Sequence, residues 1–183
     1  MAQKVERKRR VRARLTVEGT GQAKVETGLS VLDHLLGVLA RYGSFDLTLA
    51  LAAGAGAGQV AAAARALGKA LHAPLRAEGA RGHGMSALPA DEALASVSLD
   101  VAEAPLVYSN VDLSGVHVAG LGSDLVAGFL EVFVAEAGLN LHVRLVEGDD
   151  EQHVLEAIFK ALGSALGLAC EQRRAPKKGA RRT

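Results

Sequence analysis

A histidine and a glutamate near the C-terminus have types and spacing that suit metal binding or acid–base chemistry. His153 and Glu156 are three positions apart in DEQHVLEAIFKALGSALG, so a helix there places both side chains on one face, within reach of one ion. The pattern alone is more typical of a polar helix N-terminus, and acidic residues at 149–151 would favour that end of a helix.

Two other histidines fall within predicted secondary structure. His142 alternates with Leu141 and Val143, which predicts a strand with the histidine on the face opposite the apolar residues. His34 follows Asp33 in an otherwise apolar helical pattern. Isolated histidines of this kind are more often hydrogen-bonded structural residues than ligands. The remaining histidines are expected in loops: His72, His83 and His117.

Hydrophobic periodicity predicts the elements that must position these residues. In the first half we expect strands over 11–17 and around 23–27, paired with each other, and a further strand over 45–51. Helices are expected over 30–43, with Ser30 as N-cap, and over 59–71. The glycines of GARGHGMSALPADEAL predict a loop before the next strand.

The second half repeats this plan. Strands are predicted over 93–101, 105–111 and 139–148, and helices over 123–138, capped by Ser123 and ended by Gly138, and over 150–167. We therefore predict an α+β fold with a duplicated strand–strand–helix–strand–helix unit, its helices packed between two sheets. The expected organisation is a single domain over 1–183, with pseudo-repeats over about 11–78 and 85–170 and basic tails over 1–10 and 171–183.

One stretch of the first repeat, LAAGAGAGQVAAAARALG, is chemically silent: its only polar side chains are Gln59 and Arg65. Ala66 aligns with Ala161, an offset of 95 residues. At this offset His153 and Glu156 correspond to Gly58 and Ala61. The first copy of the helix thus lacks the polar side chains that the second copy carries.

Composition narrows the class of protein. Hydrophobic residues make up 49% of the 183 residues and aromatics 3%, which predicts a core of Ala, Leu and Val. Cys170 is the single cysteine, which excludes an intrachain disulfide and a cysteine zinc cluster. We expect a cytoplasmic protein without a membrane span, since neither a signal-peptide pattern nor an apolar run of spanning length is found.

Basic residues are concentrated at the two ends, within 4–14 and 173–182. Such runs are most often solvated tails, and phosphate or nucleic-acid binding is the sharper alternative. Because no aromatic residues interleave with the basic ones to stack bases, solvated tails are favoured over a nucleic-acid role.

Several of these stretches, in order, resemble the imidazoleglycerol-phosphate dehydratase family of histidine biosynthesis. The resemblance runs from about residue 15 to the end and is carried by TGLSVLDHLLGVLARYGSFDLTL, PADEAL…VSLDV, LNLHVRLVEG and QHVLEAIFKALGSAL. It implies a ribosomal protein S5 domain 2-like fold and a large homo-oligomer built from trimers. It also implies two Mn(II) ions between subunits, which bind the substrate imidazole as imidazolate while water is eliminated.

Individual residues carry over from the family's motifs. The implied metal ligands that survive are His34, His142, His153 and Glu156. The implied phosphate-binding residues are Lys160 and Lys178, with Arg81 next to Gly82, where the family has an arginine.

Other family positions have lost their side chains. The family's first His-His-x-x-Glu-Asp motif is replaced by Ala57, Gly58, Ala61 and Ala62. Gln152 stands for the first histidine of the second motif, Ala104 for the arginine of the family's SGRP motif, and Lys8 for an N-terminal glutamate.

Of the eight implied ligand positions, four lack the family's ligand side chains (57, 58, 61 and 152), so at most one partial Mn(II) site remains. The first hypothesis is a degenerate dehydratase homologue with weak or no activity, which binds a small phosphate ligand or co-assembles with an intact paralogue. The alternatives are an active dehydratase with a reduced metal site, and an assembly or nucleic-acid-associated protein that uses its basic termini.

Overall fold

The computed structural model describes residues 11–51, 57–111, 117–118 and 121–173. The strands are β1 Arg12–Thr16, β2 Ala23–Glu26, β3 Asp46–Ala50, β4 His83–Ala90, β5 Ala93–Val101, β6 Leu106–Ser109, β7 His117–Val118, β8 Leu121–Gly122 and β9 Leu139–Glu147. The helices are α1 Ser30–Gly43, α2 Ala57–Leu75, α3 Ser123–Ala137 and α4 Glu151–Cys170.

Two sheets enclose two layers of helices, as predicted for the α+β fold. The first sheet has the order β1-β3-β2 and the second the order β4-β5-β9-β6, while β7 and β8 form a separate pair. In each large sheet a central strand, β3 or β9, has an antiparallel neighbour on one side and a parallel neighbour on the other. The same arrangement in both halves confirms the duplicated unit; the boundaries of the two repeats stay a prediction.

The helices pack in pairs between the sheets. α1 packs on α4, α2 packs on α3, and α4 lies on β4 and β5 of the second sheet. The core is a continuous cluster that draws on both halves. Ala, Leu and Val dominate it as expected, but all four phenylalanines are also fully buried: Phe45, Phe129, Phe133 and Phe159.

Two strand predictions were wrong. β2 pairs with β3 rather than with β1, because the chain crosses from β2 through α1 to the parallel strand β3, and β3 buries Leu47 and Leu49 at the centre of the sheet. The expected loop at 83–90 is strand β4. Its side chains lack a strong apolar alternation, and it is an edge strand that tolerates Pro89.

Smaller local predictions also changed. Leu29, not Ser30, is the N-cap of α1, and no side-chain hydrogen bond caps it. His72 lies within α2 and His83 and His117 begin strands, so none of the three is in a loop. Gly138 ends α3 with φ 68°, as expected, whereas the side chain of the predicted cap Ser123 is outside the part of the chain that the structure describes.

Among the described residues, α4 is long and apolar enough to cross a membrane by length and composition, contrary to the expectation that no segment would be. Of its most apolar 18-residue segment, 67% is buried inside the protein. Its apolar side chains pack against α1, β4 and β5. The composition of α4 is therefore that of a central core helix.

Candidate functional site

The first turn of α4 carries both residues of the His-x-x-Glu pattern. Asp150 caps the helix, and its Oδ1 accepts hydrogen bonds from the backbone amides of Gln152 at 2.9 Å and His153 at 3.1 Å. Asp150 thus satisfies two of the free amide donors that every helix N-terminus exposes. The cap thereby stabilises the helix end that carries His153 and Glu156.

Glu156 joins α4 to α1 through a group that we name the Glu156 cluster: His34, Glu156 and Lys160. Glu156 Oε2 lies 3.5 Å from His34 Nε2, and Glu156 Oε1 lies 3.0 Å from Lys160 Nζ. The hydrogen bond from Lys160 is the main reason that the pKa of Glu156 is lowered, and the contact with His34 adds to it. The cluster lines a cleft of about 350 Å³ beside Asp33 and Arg41.

Lys160 is held at the edge of this cleft by more than one contact. Its side chain is 16% exposed, and Nζ lies 3.4 Å from the carbonyl oxygen of Pro89. The ammonium also lies 5.7 Å from the centre of the Tyr42 ring, within the range of a cation–π interaction. The lysine implied to bind phosphate is therefore already engaged within the chain.

His153 belongs to a separate group, the His153 cluster: Asp91, Glu92, Asp150 and His153. His153 Nδ1 lies 2.6 Å from Glu92 Oε2, and Nε2 lies 3.4 Å from Asp91 Oδ2. The hydrogen bond to Glu92 raises the pKa of His153. The pKa of Glu92 is lowered, first by its own backbone amide and then by His153.

The structure thus gives His153 and Glu156 different partners, although both lie in the first turns of α4. His153 ties the helix to the turn between β4 and β5, where Asp91 has a positive φ of 47°. Glu156 faces α1 instead. Spacing on one helix did not reveal Glu92 or His34 as partners, because both are distant in sequence, whereas Lys160 lies one turn from Glu156 on the same helix.

His142 lies on β9 with its side chain exposed, between the fully buried Leu141 and Val143. This confirms the predicted alternation. Its ring centre is 5.5 Å from that of Tyr108 on the neighbouring strand β6. Since α4 covers the buried face of this sheet, His142 points to the opposite face from the Glu156 cluster.

The helix α2 begins within the chemically silent stretch, and its first turn carries no ionisable side chain. Ala57 and Gly58 are exposed, while Gln59 is 8% exposed and donates from Nε2 to the carbonyl oxygen of Thr27 at 2.8 Å. Thr27 in turn donates its backbone amide to Asp33 Oδ1 at 2.8 Å. Sequence reasoning missed this tie between α2, β2 and α1, although Gln59 is a rare polar residue in the stretch.

Arg81, the other described residue implied to bind phosphate, does not lie near Lys160 within one subunit. The guanidinium of Arg81 lies 3.3 Å from Glu171 at the far end of α4. Eleven helical positions separate Glu171 from Lys160, about 16 Å along the axis. Lys178 lies outside the described residues.

The donor set does not fit a manganese ion within one subunit. In the described part of the chain, no group of three or more His, Cys, Asp or Glu side chains could hold a metal ion. Glu156 is bound to Lys160, His153 faces two carboxylates, and His142 lies on another face of the sheet. Within one subunit, the described residues do not bring the four implied ligands together.

Comparisons with known proteins agree on one family. A family model described as imidazoleglycerol-phosphate dehydratase matches residues 27–166. Relatives with that name include the protein of Pelobacter propionicus, 34% identical over 164 residues that cover 87% of this chain and 84% of the relative. The protein of Syntrophobacter fumaroxidans is 37% identical over 164 residues, with 87% and 83% covered.

Solved structures resemble the whole fold. The imidazoleglycerol-phosphate dehydratase of Staphylococcus aureus superposes with a TM-score of 0.82 at 26% identity, covering 90% of this chain and 95% of that one. The enzyme of Pyrococcus furiosus, solved in complex with (S)-C348, gives a TM-score of 0.79 at 24% identity, covering 93% and 97%, a likeness of fold.

Proposed function

The chain belongs to the imidazoleglycerol-phosphate dehydratase family, and we propose that it is a degenerate member with weak or no dehydration of imidazoleglycerol phosphate. The observation that carries the proposal is the comparison of the two copies of its own repeat. Where α4 presents His153 and Glu156, α2 presents Gly58 and Ala61. Neither hydrogen nor a methyl group can donate electrons to a metal ion.

The missing donors bear directly on catalysis. Metal ions and fixed dipoles that stabilise developing charge supply a large share of an enzyme's rate enhancement. A chain that retains half of the implied ligands, His34, His142, His153 and Glu156, offers at most one partial Mn(II) site. Such a site would have to form between subunits.

The proposed setting is a soluble cytoplasmic protein of the histidine-biosynthesis family, assembled as a homo-oligomer based on trimers. Co-assembly with an intact paralogue is compatible with the retained fold, because such a partner would supply the ligands that this chain lacks at shared interfaces. A small phosphate ligand bound through Lys160, Lys178 and Arg81 would take Lys160 and Arg81 from different subunits, since Arg81 lies at the far end of α4 from Lys160 within one chain. Lys160 would first have to leave Glu156.

A second candidate function is an active dehydratase that works with a reduced metal site. It is favoured by the names of relatives that are 32–37% identical to this chain. The proximity of His34 and Glu156, 3.5 Å apart, also favours it, since these two side chains could share an ion.

The third hypothesis, nucleic-acid binding through basic termini, depends largely on residues outside the described part of the chain. Binding to DNA or RNA at moderate salt that disappears when both tails are trimmed would support it.

The proposal is tested by the rate of water elimination from imidazoleglycerol phosphate in saturating Mn(II). The Staphylococcus aureus enzyme serves as positive control. We expect the native chain to turn over at least about 100-fold more slowly than the control, since the loss of even one charge-stabilising donor costs about that much. Turnover within about tenfold of the control would favour the second candidate instead.

A restored variant adds a gain-of-function arm. It carries Ala57→His, Gly58→His, Ala61→Glu, Ala62→Asp and Gln152→His, which returns the implied donors to both helices. We expect faster elimination than in the native chain. The matched control carries Ala57→Asn, Gly58→Asn, Ala61→Gln, Ala62→Asn and Gln152→Asn. It should remain slower than the restored variant, because an uncharged amide oxygen holds a divalent ion less tightly than a carboxylate does.

A further inference from the structure

The second sheet turns one of its two faces away from the helices. α3 and α4 pack on its inner side, where Leu141 and Val143 of β9 are fully buried. Because side chains alternate along each strand, a second set lies on the opposite side of the sheet, which we name the outer face. Its exposed side chains include Met85, Asp100, Leu106, Tyr108, His142 and Arg144.

The centre of the outer face is a row of residues that crosses all four strands. Ser98 lies between Met85 and His142, and His142 lies between Ser98 and Tyr108. Met85 is 68% exposed and Tyr108 is 58% exposed, and the rings of Tyr108 and His142 lie 5.5 Å apart. A sheet face that stays in water ordinarily carries polar side chains. The central row is therefore typical of a covered face.

Exposed apolar side chains are concentrated on this sheet. In the part of the chain that the structure describes, six large hydrophobic side chains are exposed, and four of them belong to the second sheet. Those four are Met85, Leu106, Tyr108 and Val146. Contiguous exposed apolar side chains on a soluble protein mark an interaction surface.

The duplicated first sheet provides an internal comparison. Its equivalent row is Arg14 on β1, Thr48 on β3 and Lys24 on β2. All three are exposed, and Lys24 lies 3.6 Å from Glu26 on the same face. The same positions of the repeat are thus polar or charged in the first sheet and largely apolar or aromatic in the second.

Two opposite charges flank the central row. Asp100 lies two positions after Ser98 on β5, and Arg144 lies two positions after His142 on the antiparallel strand β9. The acid and the base therefore lie on opposite sides of the row, at equal spacing. Both side chains are exposed, and neither forms an ion pair with another described residue.

This arrangement is complementary to itself. A twofold axis along the central row would bring the outer faces of two copies together with their strand directions reversed. Asp100 of each copy would then lie beside Arg144 of the other copy, on the adjacent strand. Sheets that pack face to face lie about 10 Å apart, a gap that an aspartate and an arginine span together. Two ion pairs would thus flank an apolar centre.

We propose that the outer face of the second sheet binds a second copy of this chain, face to face about a twofold axis. The inference goes beyond the proposed function and does not depend on it, because its readout is assembly and not turnover. In an assembly based on trimers the contact joins two trimers, and without trimers it joins two subunits.

The test measures the native mass of the full-length chain at physiological ionic strength. We expect an even number of subunits. Asp100→Arg and Arg144→Asp each place like charges together at both ends of the row, so each should lower the mass to half of the native value or less. The combined variant restores both pairs with their signs exchanged and should regain the native mass. Since regain requires a folded chain, it separates a broken contact from misfolding.

Two further variants test the centre of the contact and its location. Tyr108→Lys introduces a charge into the apolar row and should also lower the mass. Arg14→Asp is the matched control, because it reverses a charge on the exposed face of the first sheet and should leave the mass unchanged.

Several results would overturn the inference. One is a native chain with an odd number of subunits, a single subunit included. Another is an unchanged mass in both single charge reversals, or in Tyr108→Lys. A combined variant that stays dissociated, or an Arg14→Asp chain that dissociates, would also contradict a contact made through this face.

Discussion

At the scale of single residues, the side chains that resemble metal ligands have acquired partners within the chain. His153 bonds to Glu92, and Glu156 bonds to Lys160. The sequence predicted which residues could do chemistry, but not these pairings. Glu92 and His153 are 61 positions apart, and no local pattern reports a contact made through the turn between two strands.

The His153–Glu92 bond predicts a pH-dependent stability. The folded pKa of His153 is raised, so its contribution is complete below its ordinary pKa and is lost as pH rises through the folded value. The folded pKa of Glu92 is lowered, so its contribution is complete above its ordinary pKa and is lost as pH falls. Both contributions are therefore present together between about pH 4.3 and about pH 6.5.

Glu92→Gln should consequently lower the thermal unfolding midpoint most at about pH 5.5 and less at about pH 8.5. Glutamine retains an acceptor for the amide of Asp150, which isolates the charged bond to His153. Glu103→Gln, a change at an exposed glutamate after β5, is the control. An equal deficit at both pH values for Glu92→Gln would contradict the prediction.

Gln59 has a structural role that its position in the silent stretch conceals. Gln59→Leu should lower the free energy of unfolding by about 1–3 kcal/mol, because the buried carbonyl of Thr27 loses its donor. Denaturant unfolding measures the change. Gln152→Leu, at an exposed position of α4, should stay within about 0.5 kcal/mol of the native chain, and an equal loss there would refute the explanation.

At the scale of elements, the contact between His34 and Glu156 depends on how closely α1 and α4 cross. Glycines allow the approach: a Cβ added at Gly163 would lie 2.2 Å from the carbonyl oxygen of Leu39, and one added at Gly167 would lie 2.8 Å from that of Gly43. Backbone atoms block both positions. Gly163 and Gly167 of α4 therefore set its spacing from α1 across the cleft.

Gly163→Ala should destabilise the fold by about 1–3 kcal/mol through overpacking. The helix-propensity gain of about 1 kcal/mol is the smaller effect, since the obstructing group is backbone. Gly58→Ala is the matched control, as a Cβ there meets no atom within 4 Å, and it should be neutral or stabilising. Calorimetry of both variants tests the account, and a stabilised Gly163→Ala protein would contradict it.

Periodicity predicted the elements better than their pairing. The helices α1 and α4 and the strand β5 follow directly from apolar spacing, since each buries one regular face. β4 was not predicted because most of its residues are small, every second side chain is exposed, and Pro89 interrupts the strand. The partner of β2 was missed because strands that follow one another in sequence are expected to pair. Here α1 connects β2 to β3, and β3 lies between β1 and β2 in the sheet.

At the scale of the whole molecule, the two halves share a fold but differ in the side chains that could do chemistry. The order β1-β3-β2 of the first sheet matches the order β5-β9-β6 within the second, yet the His-x-x-Glu pair is present on α4 and absent from the equivalent positions of α2. Packing distinguishes two groups of residues on α2. Val60, Ala63, Ala64 and Leu67 of α2 are buried and maintain the core, whereas Ala57 and Gly58 are exposed and contribute little to it.

The number of Mn(II) ions bound per subunit tests the central claim most directly. Equilibrium dialysis of the assembled native chain at saturating free Mn(II), with the Staphylococcus aureus enzyme beside it, gives the count without reference to turnover. The missing donors at positions 57, 58, 61 and 152 predict fewer than one ion per subunit. Two ions per subunit, bound as tightly as in the control enzyme, would contradict the account.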